Sequence, residues 1–201
     1  DAVVTIGNFD GVHVGHQQLL KAVRTHADRI GGTAVAITFR PHPHFVLRPT
    51  AAPHLINTYE EKLELLVQNG ADLVIEEPFS REFSTIAPEQ FFNEILMKRL
   101  SAEAIVVGYD FSFGKERQGH LELLESMCRE AGVELTVVQP QRAGNEVVSS
   151  SRIRQHLLPA LEQVALNHLV FQHRHLHAGF PVIVARGDAE IQTVASLEIG
   201  R

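Results

Sequence analysis

Gly7-Asn8-Phe9-Asp10-Gly11-Val12-His13-Val14-Gly15-His16 is the stretch from which the fold can be read. It follows Ala2-Val3-Val4-Thr5-Ile6, an apolar run that reads as a buried strand. It precedes Gln17-Gln18-Leu19-Leu20-Lys21-Ala22-Val23, whose apolar spacing reads as a helix. A strand, a glycine-bearing turn and a helix in that order make a place to hold phosphate. The helix start offers unpaired N–H groups and the positive end of a dipole, and glycine lets the backbone come close to a ligand. His13 and His16 flank Gly15 at the helix mouth. An imidazole can donate a hydrogen bond or carry positive charge near neutral pH, so both suit a phosphate that is gaining negative charge. Taken singly these features are ordinary, because the chain has 12 His and many α/β proteins place a glycine turn before a helix. The complete string is far more specific.

Composition bounds the rest. A chain of 201 residues suits one domain, or one domain and part of another. With 44% hydrophobic and 21% charged residues it is expected to be globular, with a sizeable core. A net charge of -6 argues against a broad nucleic-acid surface, while a few Arg and a helix N-terminus can still hold a small anion. Cys128 is the sole cysteine, which excludes an internal disulfide framework and a multi-thiolate metal site, and its helical context predicts a buried thiol. No apolar run is long enough to predict a transmembrane helix and no signal peptide pattern appears, so the expectation is a cytoplasmic protein without a membrane partner. The chain opens on a core strand without an initiator Met, as expected of a sequence lacking its first residues.

Further strands are predicted at Thr33–Phe39, Asp72–Ile75, Ala104–Val107 and Val133–Val138. Between them lie helices: one opened by the capping box Thr58-Tyr59-Glu60-Glu61, one from Pro88 with Phe91, Phe92, Ile95 and Leu96 facing the core, and one over His120–Ala131. Glu60, Glu61 and Glu64 read as a solvated face. The segment Arg40-Pro41-His42-Pro43-His44 is predicted to be a rigid extended loop, in which His42 is either a pocket wall or a surface residue. Loops after the carboxyl ends of parallel strands form the ligand crevice, so this loop would share an edge with the Gly7–His16 turn. Gly108–Gly119 also follows a strand end, and its Tyr109, Asp110, Phe111, Phe113 and Arg117 suit stacking a flat ring beside a phosphate. The alternative is a surface loop with its aromatics pinned into the core. Ser149-Ser150-Ser151-Arg152-Ile153-Arg154 can cap a helix and can also offer hydroxyls and a bidentate Arg152 or Arg154 to phosphate.

Thr5–His16, Thr38–Pro43, Val107–Gly119 and Ser149–Arg154 together resemble, in order, the signature stretches of the bacterial FAD synthetase module. That module is the N-terminal half of the bifunctional riboflavin kinase/FMN adenylyltransferases, and the match runs from about Val3 to Leu158. The resemblance implies a Rossmann-like doubly wound parallel α/β sheet of the nucleotidyltransferase type over residues 1–158. It implies that FMN and MgATP give FAD and pyrophosphate by direct in-line attack, with no protein nucleophile. By the same resemblance Gly7, Phe9, His13, Gly15 and His16 hold the ATP phosphates, and both imidazoles stabilise the transition state. Ser149, Ser150 and Arg154 hold the β- and γ-phosphates, with Ser151 standing where the family often has Thr. Asn8, His42, Asp110 and Arg117 shape the flavin side. Magnesium is expected to be held by ATP oxygens and water, so no protein ligand is assigned to it.

Residues 159–201 are expected to be a linker and an incomplete segment resembling a riboflavin kinase β-barrel. Gly179-Phe180-Pro181 resembles the start of that kinase's signature, but Val182 replaces its Thr; Val194–Arg201 resembles a later barrel strand. The expectation for this chain is therefore the transferase, with the kinase left to a full-length protein. His173, His175 and His177 would share a face on a strand, yet they have no acidic or Cys partners and metal binding is the less favoured reading. Two other functions fit the opening motif: a nucleotidyltransferase with a different acceptor, such as nicotinamide mononucleotide, and a nucleotide-binding module without catalysis.

Overall fold

The computed structural model describes residues 1–51 and 53–157, and the backbone of two later strands. Five parallel strands form its centre: β1 Ala2–Ile6, β2 Thr33–Arg40, β3 Leu73–Pro78, β4 Ala102–Gly108 and β5 Glu134–Val138. Their order is β5-β4-β1-β2-β3. The chain winds outward from β1 to β3, then crosses back to β4 on the other side of β1. The order therefore reverses between β1 and β4, and ligands of open α/β sheets bind outside the strand ends at that reversal.

Helices cover both faces, which is why β1 is buried at every residue instead of alternating with solvent. Val4, Ile6, Val35, Ile37, Ile105 and Val107 point to one face. There they pack with Phe91, Phe92, Ile95 and Leu96, and with Leu124 and Cys128 of α5 (Leu121–Ala131). Val3, Ala34, Ala36, Val74, Ala104 and Val106 point to the other, against α1 (Val14–Ile30) and α3 (Tyr59–Gln68). Burying each of the Val, Ile, Leu and Phe side chains contributes about 1.5–3 kcal/mol. Burial raises the Cys128 thiol to about 11, so it is a core side chain.

The capping box at α3 forms in full. Glu61 N–H donates to Thr58 Oγ1 at 3.1 Å, and Thr58 N–H donates to Glu61 Oε2 at 2.9 Å. The core stripe predicted after Pro88 is also present, although α4 (Pro88–Gln90) widens into π turns over Phe91–Arg99. One local expectation is corrected. The 40–44 segment is extended only at its start, because Pro43 occupies the first turn of a short helix, α2 Pro43–Leu47. Proline suits that position, having no N–H that needs a partner there.

A two-stranded hairpin, β6 Arg142–Ala143 and β7 Glu146–Val147, leads into a helix over 150–157. The backbones of β8 Val182–Arg186 and β9 Ile191–Val194 continue the sheet antiparallel beyond β3. Gly179–Pro181, the residues after Val194, and His173, His175 and His177 lie outside the described residues.

Candidate active site

The site grows from the turn after β1. Gly7 continues the strand pairing by donating its N–H to Ile37 O at 3.0 Å. A Cβ at Gly7 would stand 3.2 Å from the Phe9 ring, so the glycine admits that ring beneath the turn. Phe9, Gly11 and Val12 all have positive φ, at 50°, 85° and 33°. For a β-branched residue this is a true outlier. It is held by the full burial of Phe9 and the near-full burial of Val12.

The turn delivers His13 to the N-cap of α1 with no side-chain cap bond, so the first-turn N–H groups of that helix face the crevice uncapped. The His13 ring lies on that of His16, with centroids 3.7 Å apart and planes 19° from parallel. Phe9 meets the other side of His16 edge-on at 5.2 Å. Gly15 lets the His13 ring lie close, because a Cβ there would be 3.1 Å from it. Nδ1 of both rings is buried without a hydrogen-bond partner among the described residues. Burial lowers His16 to about 3, helped by the neighbouring His13. Burial also lowers His13, against the opposing pull of Asp10 and Asp110. Burial thus favours the neutral form of both rings, the hydrogen-bond-donor role of the two that the sequence left open.

The serine-arginine segment comes to the same turn from far along the chain. Ser149 caps the 150–157 helix, its Oγ accepting from Arg152 N–H at 3.4 Å. Ser150 Oγ donates to the Asp10 carbonyl at 2.8 Å. Arg154 pairs with the Asp10 carboxylate through Nη2, and donates Nε–H to His54 O at 2.8 Å. Of the two arginines left open by the sequence, Arg154 faces the turn, while Arg152 pairs with Glu146 on the hairpin.

The loop after β2 forms the next wall. His42 is 5% exposed and lines a narrow cleft with Asn8, Asp10, Tyr59 and Lys62, so it is a pocket wall rather than a surface residue. Its Nδ1 accepts from His44 N–H at 3.3 Å, and its own N–H donates to Tyr59 Oη at 3.0 Å. Burial lowers it to about 4. Asn8 is itself exposed, and its carbonyl accepts from buried Thr38 Oγ1 at 3.2 Å.

The loop after β4 completes the edge. Asp110 is exposed and close enough to His13 to favour its protonation. Arg117 is exposed at φ 60°, and its charge, with those of Arg48 and Arg154, bears on His44. The two loops thus face each other. Their aromatics follow the bland alternative in part: Phe113 is buried and Phe111 stacks on it at 5.4 Å, while Tyr109 stays exposed.

Three participants escaped sequence reading. Asp10 reads as one letter of a turn, yet it is buried and gathers Ile56, Ser150 and Arg154. Lys62 draws no notice in the sequence of α3, yet it is buried at the cleft floor. There its Nζ donates to Phe39 O at 3.2 Å and lies 4.0 Å from buried Glu76. Glu76 interrupts an apolar strand, and that break in pattern was the available signal.

The arrangement gathers imidazole and backbone N–H groups, a serine hydroxyl and a guanidinium at one sheet edge, groups whose chemistry suits an anion. Comparison with known proteins agrees. The bifunctional riboflavin kinase/FMN adenylyltransferase of Escherichia coli (strain K12) is 34% identical over 169 residues, 83% of this chain and 54% of the relative. That of Bacillus subtilis (strain 168) is 32% identical over 78% of this chain and 49% of its own. The chain spans about half the length of the curated relatives it matches. A solved structure described as a macrolide-efflux protein from Streptococcus pneumoniae superposes with a TM-score of 0.69 at 30% identity, covering 79% of this chain and 51% of that one. No helix among the described residues is long and apolar enough to cross a membrane. The family model for FAD synthetase matches residues 1–152, and the chain belongs to that family.

Proposed function

We propose that this chain transfers the adenylyl group of ATP to FMN, with residues 1–158 as the transferase domain. An oxygen of the FMN phosphate attacks the α-phosphorus of ATP, the bond from the α-phosphorus to the bridging oxygen breaks, and pyrophosphate leaves. Such a transfer needs positioning and charge stabilisation rather than a covalent intermediate. One observation carries the reading. Two stacked neutral imidazoles at an uncapped helix mouth share a single turn with Ser150 and Arg154, which lie more than a hundred residues later in the chain.

In this reading the backbone at Gly7, Phe9 and Gly15 and the N–H groups of α1 cradle the triphosphate. His13 and His16 donate to oxygens of the α-phosphate as charge builds there. Ser149, Ser150 and Arg154 hold the departing pyrophosphate, while Asn8, His42, Asp110 and Arg117 border the flavin. Magnesium would enter with ATP, held mostly by phosphate oxygens and water, and would offset phosphate charge, with exposed Asp110 as an outer carboxylate. Residues 159–201 are read as a linker and an incomplete riboflavin kinase-like segment.

The test is to incubate the full chain with MgATP and FMN and separate the products by chromatography, with nicotinamide mononucleotide as a rival acceptor. FAD and pyrophosphate are expected. An adenylylated nicotinamide product without FAD would reject the reading.

A further inference from the structure

Asp10 sits between two residues of positive φ, and the turn drives its side chain inward until 4% of the residue is exposed. A buried carboxylate is costly unless paired and hydrogen-bonded. Here every partner comes from elsewhere in the chain. Oδ1 accepts from Ile56 N–H at 2.9 Å, Oδ2 meets the Arg154 guanidinium, and the carbonyl accepts from Ser150 Oγ at 2.8 Å.

Arg154 is gripped in turn at two edges, by Asp10 at Nη2 and by the His54 carbonyl at Nε. Two contacts on a planar fork fix its orientation. The remaining arm, Nη1, makes no hydrogen bond to the described residues. A buried ion pair adds little net stability over apolar packing of similar volume. What this pair supplies is the direction of the guanidinium.

We propose that Asp10 is a positioning residue for Arg154. It holds the guanidinium so that the Nη1 arm is presented to the phosphates of ATP beside the mouth of α1. The inference rests on reading this edge as the ATP site. It assigns to the turn a task separate from cradling phosphate through its backbone: setting the geometry of a side chain 144 residues away.

The test measures the Kd for MgATP by titration calorimetry on the full chain, a readout that needs no turnover, for Asp10→Asn, Arg154→Ala, their combination and Arg154→Lys. Asp10→Asn keeps an acceptor for Ile56 N–H but loses the charge facing Arg154. Each single variant is expected to bind MgATP roughly tenfold more weakly, and the double variant no more weakly than Arg154→Ala, since residues acting as a unit are not additive. KM for FMN should stay within about twofold of wild type if the effect runs through the triphosphate alone. Losses that multiply in the double variant, an unchanged Kd in Asp10→Asn, or an equal rise in KM for FMN would overturn the proposal. If Asp10→Asn does not fold, Arg154→Lys decides, because it keeps the charge and loses the two-edged grip. Binding as weak as in Arg154→Ala supports the proposal, and wild-type binding overturns it. A wild-type chain that binds MgATP but forms no FAD would reject the functional reading and leave this inference standing on its own measurement.

Discussion

The imidazole of His13 lies on that of His16 with centroids 3.7 Å apart, and burial disfavours the protonated form of both rings. In the proposed transfer the pair serves as N–H donors held in fixed positions, a preorganised arrangement that requires little movement as charge develops on phosphate. Replacing His16 by Ala is expected to keep the fold and to lower turnover by about a hundredfold, the usual scale for one lost oxyanion donor. Steady-state FAD formation checks this. An unchanged rate would remove His16 from the mechanism.

Acid should weaken the fold through the same burial. His16 is lowered to about 3 and His42 to about 4, against an ordinary value of 6.5. As pH falls below 6.5 the unfolded chain takes up protons that the folded chain refuses, so stability declines. The decline continues to about pH 4 for His42 and about pH 3 for His16. Glu76 and Glu77, raised by burial, act in the opposite sense above pH 4.5. The histidine part is isolated by comparing urea midpoints of wild type and His16→Gln between pH 7 and pH 5. Wild type should lose more; equal losses would contradict the account.

Lys62 and Glu76 form a buried charge pair beneath the cleft, with Arg40 3.6 Å from Glu76 on the solvent side. Burial lowers Lys62 to about 8, and its Nζ also anchors the Phe39 carbonyl at the end of β2. Lys62→Met should destabilise the protein by about 3 kcal/mol, because it leaves Glu76 buried with Arg40 alone. Adding Glu76→Gln should recover part of that loss. Urea unfolding of the three proteins measures it.

Gly114 allows the loop after β4 to pass over Pro88. Its φ is +70°, and a Cβ there would stand 2.8 Å from the Pro88 backbone nitrogen. Gly114→Ala is expected to cost about 2 kcal/mol of stability through strain and clash. Because the loop carries Arg117, KM for FMN should rise more than KM for ATP. A larger effect on ATP would place this loop on the wrong substrate.

What the sequence made legible was local. β1, the capping box at Thr58 and Glu61, and the core stripe Phe91, Phe92, Ile95 and Leu96 announce themselves within one or two turns of chain, where side-chain period and capping chemistry act. The motif at Gly7–His16 gave its strand, turn and helix for the same reason, and all three are present. Asp10 could not be read this way, since its partners at Ile56 and Arg154 meet it only through the tertiary fold. Lys62 gave no signal because a lysine on a helix is usually solvated, and only the placement of Glu76 on β3 draws it inside. The lowering of His13 and His16 was equally hidden, for residue type gives an ordinary pKa and only burial in the folded turn pulls it down. Pro43 was read as a breaker, when its position after His42 makes it a helix start.

The central claim is that the phosphate of FMN attacks the α-phosphorus of ATP directly at this edge, and isotope tracing tests it most plainly. With FMN as acceptor, label carried on the α-phosphate of ATP should appear in FAD, while label on the γ-phosphate should leave wholly as pyrophosphate. Label from the γ-position in the flavin product, or label retained covalently on the protein, would contradict it.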